Sequence, residues 1–361
     1  MEIKSKVPLN RTSDLSLAYT PGVAEVCRLI AREPKAANDY TIKRNTVAIV
    51  TDGSAVLGLG NIGPLAALPV MEGKAILHKK FAGLDAFPIC LDTQDTEEII
   101  NTIKHIAPVF GAIHLEDISA PRCFEIERRL QKELNIPVLH DDQHCTAVVV
   151  LAALINSIKI TGFNKARAKV VINGAGGAGI AIARLLLAYD FKNLILLDSQ
   201  GSIYRGRKNL RDEKLAIAKL TNQKTVKGGL ADCLKGADIF IGVSKGGLLK
   251  AAMIKSMNPN PIIFALANPL PEIMPTAAKK AGAFIVATGR GDFPNQINNL
   301  LTFPGIFRGA LDNQIKTITQ AMLLQAAKNL AGLIKKPSAQ KILPDCFDKR
   351  VMPAVAKAIT N

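Results

Sequence analysis

The sequence predicts an α/β protein of two domains, the first of which is an α/β domain built on a largely parallel sheet. The chain has 361 residues, 48% of them hydrophobic, which is more than one hydrophobic core usually accommodates. In both halves, short apolar runs alternate with helical segments, and this alternation is typical of parallel strands joined by crossover helices. We therefore expect a first domain over residues 1–145 and a second domain over residues 146–361.

Acidic side chains follow two strands that we predict in the first domain. Apolar residues 109–115 form one predicted strand and residues 137–139 another, with a helical segment between them that Pro121 opens. A right-handed crossover makes such strands parallel, so the residues that follow them meet at one edge of the sheet. These residues are Glu116, Asp117, Asp141 and Asp142. Three or four carboxylates in one crevice repel one another unless a metal cation or a Lys lies among them, and oxygen ligands favour Mg2+ or Mn2+.

Two glycine-rich segments match a dinucleotide-binding pattern, but the first has the wrong surroundings. Asp52, Gly53 and Ser54 follow the predicted strand 46–51 before the segment Gly58–Gly63 (GLGNIG) begins, and Pro64 follows that segment at once. A dinucleotide fingerprint should run directly from a strand into a long helix. We interpret this segment as a glycine loop that faces a catalytic cleft.

The second glycine-rich segment lies directly between the predicted strand 168–173 and a helix. Gly174 is expected to make the tight turn, Gly176 to let the backbone approach a pyrophosphate, and Gly179 to let the helix pack on the strand. The residues expected to bind the cofactor are Gly174, Ala175, Gly176, Gly177, Ala178, Gly179 and, at the end of the next strand, Asp198. We therefore predict a Rossmann-type dinucleotide-binding domain, which a long apolar helix at about 146–157 joins to the first domain. C-terminal helices, at about 308–334 and 348–359, are expected to pack back across both domains.

The same region bears on the choice between NAD and NADP. Asp198 and the third glycine favour NAD, because an acid at that position grips the ribose hydroxyls. Arg205, Arg207 and Lys208 stand nearby and could meet a 2′-phosphate. We expect NAD or NADP, with NAD favoured.

Other polar residues carry weaker signals of function. Lys74 lies in an apolar helical stretch, 69–78, where burial would lower its pKa towards that of a general base. Tyr19 precedes a Pro-Gly turn, while Asn268 and Asn299 stand in loops. Taken locally, packing explains the tyrosine and turn formation explains the asparagines.

Composition argues against several classes of protein. The net charge of +16 could indicate nucleic-acid binding, but the basic residues are spread along the chain, Trp is absent and aromatic residues make up only 5%. The six cysteines form no CxxC pair, which fits a reducing compartment and gives no zinc signature. The longest uncharged apolar run, 145–155, is too short to span a bilayer, and residues 1–8 lack the apolar core of a signal peptide. We expect a cytoplasmic protein with neither nucleic-acid nor membrane partners.

Taken together and in order, these segments resemble the malic enzyme family, specifically its short bacterial and archaeal form. The resemblance covers nearly the whole chain. Its blocks are LSLAYTPGVAEVC, TDGSAVLGLGNIG, VMEGKAIL, HLEDISAP, HDDQH, VINGAGGAGIA, DSQGSIYRGR, ALANP and PNQINNLLTFPGIFRGALD. Single blocks are weak signals, whereas the ordered set is highly specific.

The resemblance implies oxidative decarboxylation of L-malate to pyruvate and CO2 with reduction of NAD or NADP, aided by Mg2+ or Mn2+, and also decarboxylation of oxaloacetate. It assigns the metal to Glu116, Asp117 and Asp142, the general base to Lys74, a place beside that lysine to Asp141, and the acid that protonates C3 to Tyr19. Lys74, Asn268 and Asn299 would bind the substrate. The family also implies a homodimer, with Tyr19 or Lys74 reaching a neighbour's site.

The chain departs from the family pattern at several places. Cys145 stands where the family usually has Gly; it would strain a turn of positive φ but cost little inside a helix. Ala55 stands where the long eukaryotic form carries a substrate-binding Arg. The chain also begins close to the Tyr19 block, so we expect the longer N-terminal arm of many relatives to be missing. Because the sequence ends at Asn361, we likewise expect no phosphotransacetylase-like extension.

Three rival functions stay open at this point. A malolactic enzyme would convert malate to lactate with bound NAD. An amino-acid dehydrogenase shares the two domains and a catalytic lysine but needs no acidic metal trio. A basic nucleic-acid-binding protein could use a Rossmann domain as a scaffold.

Overall fold

Two β-sheets, one in each half of the chain, organise the structure, a computed structural model that describes residue 5 and residues 7–361. The strands are β1 (Thr46–Thr51), β2 (Asp85–Cys90), β3 (Ala112–Leu115), β4 (Val138–His140), β5 (Lys169–Asn173), β6 (Asn193–Asp198), β7 (Gly201–Ser202), β8 (Ile239–Gly242), β9 (Ile262–Ala265) and β10 (Ile285–Thr288). The predicted α/β class is confirmed. The expectation that residues 1–8 hold no signal peptide falls mostly outside the described residues.

The helices pack on both sheets and continue beyond them. They are α1 (Thr12–Ala18), α2 (Val23–Arg32), α3 (Ala37–Tyr40), α4 (Pro64–Ala82), α5 (Thr96–Ile106), α6 (Arg122–Glu133), α7 (Asp141–Thr161), α8 (Gly177–Ala188), α9 (Asp212–Ala218), α10 (Leu230–Leu234), α11 (Ala251–Lys255), α12 (Pro275–Lys280), α13 (Phe303–Asp312), α14 (Gln320–Gly332) and α15 (Val351–Ala356). Helix α5 begins as its sequence predicts, because the Asp95 carboxylate accepts a hydrogen bond of 2.9 Å from the Glu98 backbone N–H.

The first sheet is wholly parallel, with strand order β2-β1-β3-β4. Leu115 in β3 pairs with Val50 on one side and His140 on the other, so the residues after β1, β3 and β4 emerge side by side. We call this edge the carboxyl edge. Strand β3 is shorter than predicted, because Ala107–Val109 forms a 3-10 turn and the strand begins only at Ala112.

The second sheet has the order β10-β9-β8-β5-β6-β7, and only the short β7 runs antiparallel. The strand order reverses at β5, since α8 leads from β5 to β6 on one side while β8 lies on the other. In sheets of this kind, ligands bind outside the carboxyl ends of the strands at the reversal. The Rossmann-type prediction is confirmed.

Helix α4 is longer than the sequence predicts. It begins at Pro64 and continues through Pro69 to Ala82. Pro64 stands at the first helical position, where the missing N–H has no partner to lose, and Pro69 interrupts only one bond of the ladder. A long helix therefore does follow the glycine loop directly, contrary to the expectation drawn from Pro64.

Helix α7 connects the two halves of the chain. We predicted its start at about Thr146, but it begins at Asp141, directly after β4. By length and composition it could cross a membrane, alone among the helices of the described residues, yet 67% of its most apolar window is buried inside the protein. Core helices pass the same test. The expected boundary between residues 145 and 146 falls inside this helix.

The C-terminal helices pack back onto both halves, as predicted. Helix α13 contacts α4, and α14 contacts α7. The buried Asn156 side chain in α7 donates to the Ala331 and Ile342 carbonyls at 3.0 and 2.9 Å, which fixes this packing. The segment predicted as one helix over 308–334 is two, because the chain turns after Asp312 and Thr319 caps the next helix.

Candidate active site

Four carboxylates gather at the carboxyl edge of the first sheet. Glu116 and Asp117 follow β3, while Asp141 and Asp142 form the first turn of α7 after β4. Glu116, Asp117 and Asp141 are buried, and Asp142 is partly exposed to a cleft. One carboxylate oxygen from each of Glu116, Asp117 and Asp142 lies within 4.8 Å of the other two. The arrangement expected from the strand ends is therefore present.

The turn after β3 holds Asp117 in a left-handed conformation, with φ of 53°. Its backbone N–H donates to Asp142 Oδ2 at 3.0 Å, and its carbonyl accepts from the Ala55 N–H at 2.9 Å. Asp tolerates this region better than most residues, but the conformation still costs free energy. Such strain persists where surrounding contacts fix the backbone. Here the two hydrogen bonds of Asp117 join the turn after β3 to the segments that follow β4 and β1.

Glu127 in α6 holds the turn that carries Asp141 and Asp142. Its carboxylate accepts from the His140 N–H at 2.7 Å and lies 2.9 Å from His144 Nε2. Because Glu127 is buried, these hydrogen bonds replace the water it has lost. The first turn of α7 is therefore fixed by Glu127 of α6 as well as by the hydrogen bonds of its own helix.

Lys74 projects from α4 into the acidic group. Its ammonium hydrogen-bonds the Asp141 carboxylate, lies 3.1 Å from Glu116 Oε2 and stands 4.7 Å from the centre of the Phe303 ring. Burial alone would lower the pKa of Lys74, but attraction to Asp141, Glu116 and Asp142 outweighs it and raises that pKa. The expectation of a lowered pKa is therefore wrong for this metal-free arrangement, in which Lys74 is a cation.

Among the described residues, two groups of side chains could hold a metal ion, and the position of Lys74 distinguishes them. The first group is His114, Glu116 and Asp141, and the second is Glu116, Asp117 and Asp142. The Lys74 ammonium already binds Glu116 and Asp141, so a cation fills the first group. In the second group, Asp117 Oδ2 is buried without a hydrogen-bond partner. An unpartnered oxygen among oxygen-only ligands fits Mg2+ or Mn2+.

A cleft of about 520 Å3 lies beside these acids, between the two domains. Its wall includes Lys74, Glu116, Asp117 and Asp142 from the first domain and Asn268, Asn298 and Asn299 from the second. The Asn299 amide donates to Asp141 Oδ2 at 2.5 Å. Gly58 of the glycine loop packs so closely on the Asn268 carbonyl that a Cβ there would lie 1.6 Å from the oxygen. The first glycine segment thus forms part of this cleft, as interpreted.

A larger cavity of about 940 Å3 lies over the strand-order reversal of the second sheet. Gly174, Ala175, Gly176 and Asp198 line it, whereas Ala178 lines the cleft beside the acids. Ser244, after β8, lines both spaces. A dinucleotide lying over the glycine segment can therefore extend from the larger cavity towards the acids.

Two of the glycines have the steric roles that the sequence predicts. Gly174 has φ of +123°, and a Cβ on it would lie 2.5 Å from the Val243 carbonyl oxygen. A Cβ on Gly179 would lie 1.7 Å from the Gly174 carbonyl oxygen, so only glycine lets α8 approach β5 this closely. At Gly176 there is open space, and Gly177 approaches the Gln143 side chain of α7.

Asp198 is held by two cations at the end of β6. Arg207 donates to it at 2.6 Å and Lys214 at 2.9 Å. Burial alone would raise the pKa of Asp198, but these hydrogen bonds outweigh it and lower that pKa to about 2. Arg207 also donates to two backbone carbonyls, and neither Arg205 nor Lys208 lines the cavity. Lys214 and Arg211, which the sequence did not single out, do line it.

Comparison with known proteins identifies the family to which the chain belongs. Two family models match the chain, the malic enzyme N-terminal domain over residues 1–131 and the malic enzyme NAD-binding domain over residues 144–360. The chain is 56% identical over 364 residues to the bifunctional malic/malolactic enzyme of Bacillus subtilis, covering 100% of this chain and 89% of that protein. The chain belongs to the malic enzyme family. The resemblance drawn from the ordered blocks is confirmed.

Further relatives support the same membership. The NAD-dependent malic enzyme of Geobacillus stearothermophilus is 54% identical, over 100% of this chain and 76% of that protein. A crystal structure of an NAD-dependent malic enzyme from Thermotoga maritima matches with a TM-score of 0.97 at 50% identity, covering 100% of this chain and 96% of that one. Other relatives are named NADP-dependent malic enzymes. A nicotinamide cofactor therefore belongs to this enzyme.

One residue that the malic enzyme resemblance places in the site is elsewhere in this structure. Tyr19 caps the end of α1, is 69% exposed and does not line the cleft beside the acids. Within one chain the structure thus brings together Lys74, the acids and the two predicted substrate residues, Asn268 and Asn299, but not Tyr19.

Cys145, the departure from the usual malic enzyme glycine, lies inside α7 and is buried. It is absent from the residues of positive φ, so the helical alternative applies and the turn is not strained. Burial and the nearby Asp141 carboxylate raise the pKa of its thiol, and its carbonyl accepts from the Thr302 hydroxyl at 3.2 Å. Ala55, the second departure, lines the cleft with only a methyl group.

Sequence reasoning missed three residues at this malic enzyme site. Phe303 lies under the Lys74 ammonium, and His114 hydrogen-bonds Glu116. Glu127 anchors the turn that carries Asp141 and Asp142. The place of His114 could have been predicted, because it lies two residues before Glu116 and alternate residues of a strand lie on the same face. Phe303 and Glu127 come from distant segments and gave none.

The crowded carboxylates predict a pH dependence of stability. Burial and the neighbouring Asp142 raise the pKa of Asp117 to about 8, above its ordinary value of 3.8. Between these values the folded state holds a proton that the unfolded state has lost, so stability falls as pH rises. In EDTA, the free energy of unfolding of the wild type relative to Asp117→Asn should therefore decrease across this range, as measured by urea denaturation. Saturating Mg2+ should remove the slope, and a flat difference in EDTA would contradict the prediction.

Proposed function

We propose that this protein catalyses the oxidative decarboxylation of L-malate to pyruvate and CO2, with reduction of NAD or NADP and dependence on a divalent metal ion. The observation that carries the proposal is the Lys74–Asp141 pair beside the oxygen trio of Glu116, Asp117 and Asp142. That group lines the cleft, and Ser244 lines both the cleft and the cavity over the second sheet. A base, a hard-cation site and a hydride acceptor are the three requirements of this reaction.

In this proposal, Lys74 accepts the proton of the malate C2 hydroxyl as hydride leaves for the nicotinamide. Asp141 and Asn299 hold the lysine in place, since the carboxylate of Asp141 accepts from both. A metal ion bound to Glu116 and Asp142 would offset their negative charge, and so remove two of the three attractions that raise the Lys74 pKa. The lysine would then be closer to its neutral, basic form. Glu116, Asp117 and Asp142 would hold Mg2+ or Mn2+, which supplies a Lewis acid at the C2 oxygen. Asn268 and Asn299 would bind the substrate carboxylates.

The test is a malate assay with NAD and with NADP, each with Mg2+ or Mn2+ and each with EDTA. We expect reduced nicotinamide and pyruvate to form only when the metal is present. Folded protein that gives no signal with either cofactor would overturn the proposal. Activity on an amino acid that survives EDTA would favour the dehydrogenase rival instead.

A malolactic reaction is the second candidate, because the Bacillus subtilis relative at 56% identity is named a bifunctional malic/malolactic enzyme. In that reaction the bound cofactor returns its hydride to the product, so lactate accumulates without free reduced nicotinamide. Measuring lactate and pyruvate in the same malate reaction separates the two outcomes.

For the cofactor we propose NAD, because the Asp198 carboxylate lines the cavity and repels a 2′-phosphate. Asp198→Asn should raise the ratio of kcat/KM for NADP to kcat/KM for NAD at least about tenfold, because one lost charge interaction is worth about 1.4 kcal/mol or more. Lys214 and Arg207 would then be free to meet the phosphate. The exposed Asp190→Asn is the control. An unchanged ratio would contradict the preference.

We also propose a homodimer whose partner supplies Tyr19 to the cleft. Helix α1 buries none of its residues, and Leu17 and Tyr19 are 79% and 69% exposed. Co-expressed Tyr19→Phe and Lys74→Arg chains should then form mixed dimers with one intact site, recovering about a quarter of wild-type activity. Each variant alone should be far weaker. No recovery in a mixture shown to contain mixed dimers would contradict a shared site.

A further inference from the structure

Two buried histidines continue from Glu116 into the protein. His114 Nε2 lies 2.6 Å from Glu116 Oε2, and His114 Nδ1 lies 3.0 Å from His78 Nε2. Both histidines are fully buried, and the rings of Phe303 and Phe307 pack against them. We call this series of hydrogen bonds the His78–His114–Glu116 relay. Nothing in the proposed reaction uses either histidine.

The relay can point in only two directions while both rings are neutral, because each ring then has one donor and one acceptor nitrogen. An ionised Glu116 can only accept, so His114 and His78 must each donate from Nε2. A protonated Glu116 would instead donate, and both rings would carry their proton on Nδ1. Burial lowers the pKa of His78 to about 3, and His114 is fully buried against the rings of Phe303 and Phe307, an environment that favours a neutral ring.

The far end of the relay favours the first direction. His78 Nδ1 is buried and has no hydrogen-bond partner among the described residues. In the first direction that atom is a bare acceptor, whereas in the second it is an N–H without an acceptor, which is rarer in folded proteins. At the near end, the Lys74 ammonium lies 3.1 Å from the same Glu116 Oε2 and stabilises a carboxylate there.

We propose that His114 and His78 are positioning residues that hold Glu116 by its Oε2 oxygen and leave the other oxygen, Oε1, for a divalent cation. The inference rests on the proposed function, in which Glu116 is a metal ligand. Histidine and carboxylate partners behind a metal ligand fix its orientation, and losing one typically costs 10–100-fold in metal affinity.

The relay also ties the general base to the metal ligand. His78 lies one helical turn after Lys74 in α4, and His114 lies on the same face of β3 as Glu116. The hydrogen bond between the histidines therefore joins the helix that carries the base to the strand that carries the ligand. The relative position of Lys74 and Glu116 is therefore fixed by the hydrogen bond between the two histidines as well as by the direct Lys74–Glu116 contact.

The first measurement reads the protons directly. In the Mg2+-loaded wild-type protein labelled with 15N-histidine, long-range 1H–15N spectra report which ring nitrogen carries hydrogen. We expect both His78 and His114 to carry it on Nε2, with assignments made from His78→Gln and His114→Gln. Protonation on Nδ1, or doubly protonated rings, would overturn the proposal.

The second measurement is Mn2+ affinity, from the electron paramagnetic resonance signal of free Mn2+. His114→Leu has no donor and should bind Mn2+ 10–100-fold more weakly than wild type. His114→Gln can donate to Glu116 and accept from His78, so it should stay close to wild type. The exposed His105→Leu is the matched control. Equal affinity in His114→Leu and His114→Gln would overturn the proposal.

These results separate the relay from the reaction. Wild-type protein that binds Mn2+ and shows both Nε2 protons, but does not oxidise malate, would refute the proposed function and support the relay. Protein that oxidises malate but carries Nδ1 protons on these rings would support the proposed function and refute the relay. If His114→Leu fails to fold, the proton assignment in wild type still decides.

Discussion

Lys74→Arg should fold and bind its cofactor while its kcat for malate oxidation falls by about 10²–10⁴-fold. The guanidinium keeps a positive charge beside Asp141 and Glu116, but it cannot give up its proton in a protein. The fall in kcat isolates the loss of the base from the loss of the ion pair. Steady-state rates of nicotinamide reduction, with cofactor binding followed by fluorescence, measure both.

Two further variants sharpen this result. Lys80→Arg changes an exposed lysine of the same helix and should leave kcat unchanged. Lys74→Met removes the cation and leaves the Asp141 carboxylate buried with less compensation, so its free energy of unfolding should drop by about 3–5 kcal/mol. A Lys74→Arg protein with wild-type kcat would show that another group takes the proton.

Asp142→Asn should change metal binding and metal-free stability in opposite directions. Removing one ligand charge from the trio should weaken Mn2+ binding and malate turnover at 1 mM metal by at least about 100-fold, more than the loss of an outer partner costs. In EDTA the same variant should be more stable than wild type, because one of the crowded carboxylates is gone. The amide oxygen can still accept from the Asp117 N–H, so the turn itself is kept.

The control is Asp92→Asn, an exposed acid close after β2 at the same edge of the sheet. It should alter neither Mn2+ affinity nor stability in EDTA. Urea denaturation with and without Mg2+, beside the Mn2+ titration, gives both quantities. An Asp142→Asn protein that loses stability in EDTA would show that the carboxylate supports the fold more than it opposes it.

The sequence predicted the acidic edge because the rule behind it is local and topological. Apolar runs followed by acids, joined by a crossover of fixed hand, leave little freedom in where Glu116 and Asp142 can lie. The glycine segment was predictable for the same reason, since Gly174 and Gly179 answer steric demands within one strand, turn and helix. The roles of individual residues came from family resemblance, and no pattern in the sequence supplies them.

What the sequence could not predict depends on distances between distant segments. The direction of the Lys74 pKa shift is set by three carboxylates from other elements, which reverse the effect of burial. The start of α7 was missed because His140, its N-cap, lacks the side-chain acceptor that marks most helix starts. The surroundings of Tyr19 could not be predicted either, because this exposed residue lies near an active site only if a second copy of the chain covers α1.

Helix α7 has a consequence for how such enzymes can be recombined. Its first turn carries Asp141 and Asp142, and its later turns are buried against α8 and α14. A chimaera joined at residues 145 and 146 would combine the ligand turn of one parent with the buried helix surface of the other. Exchange of cofactor-binding halves between relatives should therefore succeed only when the crossover point lies before β4, so that the entire helix is inherited from one parent.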